Sequence, residues 1–149
     1  FIPMLQVRRV YAFNKHVYKY LIGREGQTVS ADVRQKSIEH MMRCIYGMID
    51  VYNKHRHDQS EVIRGYLHAR LKPLIKSVYI TLFLSYSQEN KKILIAFDQR
   101  IKDKNKSIYR LVEETNSHFN YIKYWREHTS TSILLVSCIS RLYLKLANV

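Results

Sequence analysis

The stretch VRQKSIEHMMRCIYGMIDVY, residues 33–52, decides how this chain folds. Its apolar positions are Val33, Ile38, Met41, Met42, Ile45, Met48, Ile49 and Tyr52. From Ile38 onward they recur in steps of three and one, which gathers them into a single stripe of an α-helix. Arg34, Lys36, Glu39, Arg43 and Asp50 take the other side. Upstream, the hydroxyls of Thr28 and Ser30 suit a helix start, and Asp32 suits the positive end of the dipole.

The same spacing extends in both directions. Residues 4–22 place Val7, Val10, Tyr11, Asn14, Val17, Tyr18 and Leu21 on one face, and Gly23 is positioned to end that helix. The joint GREGQTVS, residues 23–30, has the wrong spacing for a phosphate loop and follows a helix where a strand is required. In residues 60–87, Ser60 and Glu61 mark a helix start, ahead of Val62, Ile63, Tyr66, Leu67 and Leu71 at helical steps. Pro73 either kinks that helix or opens another. The run SVYITLFLSY is the segment that reads most like a strand. Ile93, Leu94, Phe97 and Ile101 outline a short helix, RIKDKNK (100–106) a charged turn, and Ser107 the cap of a helix carrying Ile108, Leu111, Val112, Thr115, Phe119 and Ile122. The expectation is an all-α, single-domain bundle of five to six helices over residues 1–149, closing on an apolar helix at about 131–147.

The charge is the second informative feature. The chain of 149 residues carries 25 Lys and Arg against 12 Asp and Glu, a net +13. The excess is spread: residues 1–88 hold 14 basic and 6 acidic side chains, and residues 89–149 hold 11 and 6. A surface that is basic nearly everywhere attracts polyanions, whether anionic lipid, an acidic glycan coat or nucleic acid. No nucleic-acid reading motif is present, and nucleic acid is not an expected partner. The opening FIPML, without an initiator Met, fits a processed secretory chain. Cys44 and Cys138 lie in apolar runs and are expected to be buried, inert thiols, although one disulfide is permitted.

No catalytic constellation emerges. His55 and His57 form an H-x-H beside Asp58, but zinc needs three or four convergent ligands, and no metal or other cofactor is expected. His40 and Cys44 stand one helical turn apart; packing is the expected role of that thiol. Glu113 and Glu114 are adjacent on a helix and therefore diverge, which excludes a glycosidase-type carboxylate pair.

The order in VYKYLIGREGQTVSADVRQKSIEHMMRCIYGMIDVY, residues 17–52, is an aromatic- and Lys-bearing helix end, a Gly-containing basic joint, a Thr-Val-Ser cap and a long basic amphipathic helix. It resembles the abalone sperm lysin family, and the likeness continues through EVIRGYLHARL and IKDKNKSIYRLVEE. The mass of 17.9 kDa and the apolar end are more like that family's fusagenic acrosomal branch. The resemblance implies a secreted, acrosomal, non-enzymatic helical bundle. One branch opens the egg vitelline envelope by binding its glycoprotein; the other is associated with fusion of sperm and egg membranes. It also implies a binding surface of basic tracks beside an exposed apolar patch. Lys19, Arg24, Arg34, Lys36, Arg64 and Arg70 match the basic helices, and Arg43 and Lys76 join them as the expected basic surface.

The last 19 residues, TSILLVSCISRLYLKLANV (131–149), test that implication. A spanning helix needs about 20 apolar residues. Residues 132–146 supply fewer and include Arg141, so an anchor is not expected. On a helix, Leu135, Cys138, Ile139, Leu142 and Leu146 form a stripe that either docks on the bundle or lies against lipid. Ile133, Leu134, Val136, Tyr143 and Leu144 fall partly outside it. The membrane-contacting set is therefore expected to be Ile133, Leu134, Leu135, Val136, Ile139, Leu142, Tyr143 and Leu144. The leading expectation is a sperm protein that perturbs the egg plasma membrane or another anionic bilayer. A protein that dissolves an egg coat by binding an envelope glycoprotein is the alternative, and a basic nucleic-acid-binding protein the third. Self-association into a homo-oligomer is left open.

Overall fold

A computed structural model describes residues 31–57, 60–85, 87–114 and 120–128, with positions 3, 6, 7, 9, 11, 14 and 15 near the start; the side chains of Ala31, Asp32 and Arg34 lie outside that set. The fold is all-α. Among the described residues the helices are α1 (Ala31–Lys36), α2 (Ile38–His55), α3 (Glu61–Leu84), α4 (Gln88–Lys104), α5 (Lys106–Leu111) and α6 (Tyr121–Glu127), and no strand occurs.

The stripe of residues 33–52 is the inner face of α2. Ile38, Ile45, Ile49 and Tyr52 are buried, with Met41, Met42 and Met48 packed against them. Ser37 separates α1 from α2: its hydroxyl donates to the Val33 carbonyl at 2.8 Å, a back-bond that loosens the helix locally. α3 is the central rod, about 36 Å long at 1.5 Å per residue, and it touches α1, α2, α4 and α5. Leu67, Leu71, Ile75, Val78, Tyr79, Leu82 and Phe83 are all buried along it. Each large apolar side chain so enclosed contributes about 1.5–3 kcal/mol relative to exposure.

Burial also explains why one helical run has a strand-like composition. The strand-like SVYITLFL is the last third of α3, where the helix is enclosed on several sides, and tertiary packing overrides the β-preference of Val, Ile, Thr and Tyr. Pro73 lies inside the single helix α3. Both Pro73 and Ala69, whose carbonyl loses its usual donor, are on the exposed side, where water replaces the missing bond. Ser60 starts α3 as expected, its hydroxyl accepting from the Ile63 amide at 3.4 Å.

Three expectations are corrected. RIKDKNK is not a turn: α4 runs on to Lys104, and only Asn105 breaks the chain before α5. Asn105, not Ser107, caps α5, accepting from the Ile108 amide at 2.9 Å. The helix expected through Ile122 stops at Leu111, and α6 starts afresh with Asn120 accepting from the Lys123 amide at 3.0 Å. A short polar side chain satisfies a free helix amide better than the charged residues beside it. Of the helix expected over 4–22, the described residues Gln6, Val7, Arg9, Tyr11, Asn14 and Lys15 are in no helix. Tyr11 is 73% exposed, so at that position no core face supports a helical stripe. Thr28 and Ser30 lie outside the described residues.

α6 is held by one charged knot. Arg126 donates from Nε to Asp98 Oδ1 at 2.8 Å and from Nη1 to Glu113 Oε1 at 2.7 Å. Its Nη1 also reaches the Tyr109 carbonyl at 2.9 Å, and Nη2 donates to the Tyr79 hydroxyl at 2.9 Å. That hydroxyl in turn donates to Asp98 Oδ1 at 2.5 Å. Burial weighs against the Arg126 charge, but Tyr79, Asp98 and Glu113 more than offset it, and its pKa lies above the ordinary guanidinium value. Burial, then the Asp98 carboxylate, pushes the Tyr79 phenol well above its usual range. Burial alone moves Tyr121 up to about 12.

Between α2 and α3, the Tyr52 hydroxyl lies 2.9 Å from His68 Nε2. Burial lowers the His68 pKa, with Glu114 opposing and Arg64 adding to the shift. A histidine depressed in the folded state stabilises the fold fully above its unfolded pKa of about 6.5, and this contribution is lost as pH falls through the folded value. The denaturation midpoint is therefore expected to drop as pH is lowered below about 6.5, and His68→Phe should flatten that dependence. An unchanged slope in the variant would refute the assignment.

Candidate adhesive surface

One flank of α3 runs along the edge of the core. Val62, Tyr66, Arg70, Pro73 and Leu74 follow each other at spacings of four, four, three and one, which sets them beside the buried stripe of Leu67, Leu71, Ile75 and Val78, with Tyr66 half-buried against the core. Val62 is 82% exposed and Leu74 38%. Met48 reaches across from α2, and together Met48, Tyr66, Arg70, Pro73 and Leu74 line an open groove of about 330 Å³. The Arg70 guanidinium lies 5.2 Å from the Tyr66 ring centroid, so a cation rests on an aromatic face beside the groove. The result is a rigid apolar strip with its own positive charge.

The pairing of cations with tyrosines recurs. Arg100 sits 4.4 Å and Lys104 6.0 Å from the Tyr46 ring centre, and Lys102 lies 5.8 Å from that of Tyr109. Burial raises the Tyr46 pKa, with Arg100 opposing. With 12 acids for 25 Lys and Arg, aromatic faces supply counter-surface where carboxylates are lacking. The exposed ion pairs Lys72–Glu114 at 3.6 Å and Lys123–Glu127 at 3.9 Å are of the kind worth about 0–1 kcal/mol each.

The residues expected to form the site fall into three groups. Lys36, Arg43 and Arg70 are exposed. Arg64 and Lys76 are half-buried and tied down: Arg64 Nη1 donates to the Arg56 carbonyl at 3.5 Å, and Lys76 Nζ to the Glu114 carbonyl at 3.1 Å. Burial, then neighbouring Lys72, lowers the Lys76 pKa against the pull of Glu114. Lys19, Arg24, the Arg34 side chain and the expected membrane-contacting set, Ile133, Leu134, Leu135, Val136, Ile139, Leu142, Tyr143 and Leu144, lie outside the described residues.

The α3 strip was missed because Val62 and Tyr66 were counted with the core stripe of Ile63 and Leu67. The four-residue spacing Val62–Tyr66–Arg70–Leu74 was the available signal. Cys44 also departs from expectation. It is exposed, with Sγ 3.6 Å from His40 Nε2, because the three-and-four spacing of the α2 stripe carries Ile45 inward and turns Cys44 outward. Glu113 and Glu114 diverge as expected, one toward Arg126 and the other toward Lys72. Among the described residues no helix is long and apolar enough to cross a membrane, and no group of three or more His, Cys, Asp or Glu side chains converges as a metal site.

These features define a class: an all-α, strongly basic bundle with an apolar strip on its longest described helix. Comparison of the chain with family models, curated proteins and solved structures returns no match.

Proposed function

We propose that this chain is a non-enzymatic, secreted sperm acrosomal protein that binds and perturbs the egg plasma membrane and so promotes gamete fusion. The observation that carries the reading is the exposed strip of α3, Val62 to Leu74, with Arg70 set among its apolar side chains, on a protein of net charge +13. Such a surface suits an anionic bilayer. The charge draws the protein to the surface at about 1 kcal/mol per cation near it. Burying Val62 in the interface adds up to about 1.5–3 kcal/mol, and Leu74, 38% exposed, about a third of that. The resemblance of residues 17–52 to the sperm lysin family supplies the biological setting.

Vesicles of phosphatidylcholine and phosphatidylserine loaded with dye test this. The protein is expected to cause leakage and lipid mixing at micromolar concentration, with the effect falling as salt is added. The double substitution Val62→Ser and Leu74→Ser should weaken vesicle binding by about tenfold or more without loss of fold, since both sites are on the surface. Intact vesicles at micromolar protein would sink the proposal.

The same strip also favours a second reading, the binding of an egg vitelline envelope glycoprotein, because basic tracks beside an apolar patch are what the lysin resemblance implies for that activity. Dissolution of isolated envelopes, with vesicles left intact, would select it.

A further inference from the structure

A second concave surface lies where α2 ends and α4 passes into α5. It is a cleft of about 520 Å³ lined by Asn53 and Arg56 from α2 and by residues 103–107. Its floor is fixed by side-chain amides. Asn53 Nδ2 donates to the Lys104 carbonyl at 3.0 Å, and Asn105 Nδ2 donates to Asn53 Oδ1 at 2.6 Å. Asn105 itself is 8% exposed and caps α5, so the floor is locked to two helices.

The charges around this floor are not balanced. Lys104 is matched by Asp50, which its Nζ contacts at 2.5 Å. Asp103 accepts from Gln99 Nε2 at 2.8 Å. Arg56 donates from Nε to His57 Nε2 at 3.0 Å, a bond that does not engage its terminal nitrogens. Among the described residues neither those nitrogens nor the Lys106 ammonium has an acidic partner. Two cations from different helices thus flank one rigid polar cavity that also presents the Ser107 hydroxyl and the Asp103 carboxylate, whose charge the Gln99 amide leaves in place, so the lining keeps a net positive charge.

We infer that this cleft binds a sulfate ester carried on a soluble polyanionic glycan. A tetrahedral oxyanion presents three oxygens: a guanidinium takes two side by side, and an ammonium and a hydroxyl take the third. The cavity volume accommodates one ester-bearing sugar unit. The direction of the cleft favours a glycan over a lipid headgroup. Asn53 stands five residues beyond Met48 on α2, which at 3.6 residues per turn is about 140° round the helix axis. A bilayer seated on the strip at Met48 and Leu74 lies to the side of the cleft, whose floor is turned by about 140° and whose Arg56, eight residues on, by about 80°, so a chain reaching from outside the membrane plane is the better occupant. This inference goes beyond the bilayer reading and survives its failure.

The test is calorimetric titration of the whole protein with a heparin-derived tetrasaccharide, beside its desulfated counterpart, at physiological salt. The double variant Arg56→Gln and Lys106→Gln is expected to lose about tenfold or more in affinity, with far-UV dichroism unchanged because both side chains are exposed. Arg70→Gln, which removes one charge elsewhere, should change it by less than about twofold. The desulfated sugar should not bind. Equal losses in both variants would reduce the effect to net charge and overturn the site, as would full binding by the double variant. If the double variant instead loses binding to phosphatidic acid vesicles while keeping the tetrasaccharide, the cleft is a headgroup site and the glycan assignment falls. Dye leakage from phosphatidylserine vesicles, measured on the same variants, reports separately on the strip.

Discussion

Arg126→Ala is expected to lower the folding free energy by about 3–5 kcal/mol, seen as a fall in the denaturant midpoint at unchanged slope. The side chain is 7% exposed and its partner Asp98 14%, so little water is at hand to replace a lost contact. One guanidinium joins Tyr79 of α3, Asp98 of α4, and Tyr109 and Glu113 of and just after α5, to α6. It also lies 3.5 Å over the Tyr109 ring. Its removal leaves the Asp98 carboxyl with only the Tyr79 and Tyr109 hydroxyls, at 2.5 and 3.3 Å, as partners. Glu113, 30% exposed, can turn to water, so most of the cost falls on Asp98. Arg126→Lys keeps the charge but cannot span four acceptors and should recover only part of the loss. The pair Arg126→Met with Asp98→Asn should cost less than the sum of its single changes, because neither charge is then stranded. A loss below about 1 kcal/mol for Arg126→Ala would show that the knot is solvated.

How far the sequence disclosed this arrangement depended on whether spacing or partnership carried the information. Ile38, Ile45, Ile49 and Tyr52 were legible because burial of one helix face imposes its own period on the residues. Ser60 was legible because it stands just before an apolar run. Asn105 and Asn120 were not: Asn105 lies in the charged run 100–106 that reads as a turn, and Asn120 lies inside the apolar spacing from Ile108 to Ile122 that reads as one helix. The charged run 100–106 read as a solvated turn because hydropathy records Arg100 and Lys104 as water-seeking. In the fold both lie by the Tyr46 ring, which itself packs at 5.8 Å from Phe97. The knot was invisible for a similar reason. Asp98 and Arg126 are 28 residues apart, and each alone looks like an ordinary surface charge. On the candidate surface, the net charge was readable; the apolar patch was expected instead on residues 131–149, which lie outside the described residues. The strip on α3 was not readable, because Val62 and Leu74 lie among core residues in the chain and differ from them only by angle.

Trp125→Ala is the second large effect, about 3–5 kcal/mol, expected as a marked fall in the thermal midpoint by far-UV dichroism. Trp125 is 1% exposed, and its ring meets Tyr79 edge-on at 6.1 Å and Phe83 at 6.0 Å. Phe83 in turn packs edge-on against Tyr121 at 5.9 Å. α6 has seven residues, too few to be stable alone, so it depends on Trp125 and Ile122 for its apolar anchorage and on Arg126 for its polar one. Trp125→Phe separates shape from polarity. The indole Nε1 is buried with no partner among the described residues, a state that costs about 1–3 kcal/mol. Phenylalanine leaves a small void but removes that stranded donor, so the two changes oppose each other and the net loss should be about 1 kcal/mol or less. If Trp125→Phe destabilises as much as Trp125→Ala, the indole nitrogen is satisfied in solution and the aromatic cluster alone does not fasten α6 to the bundle.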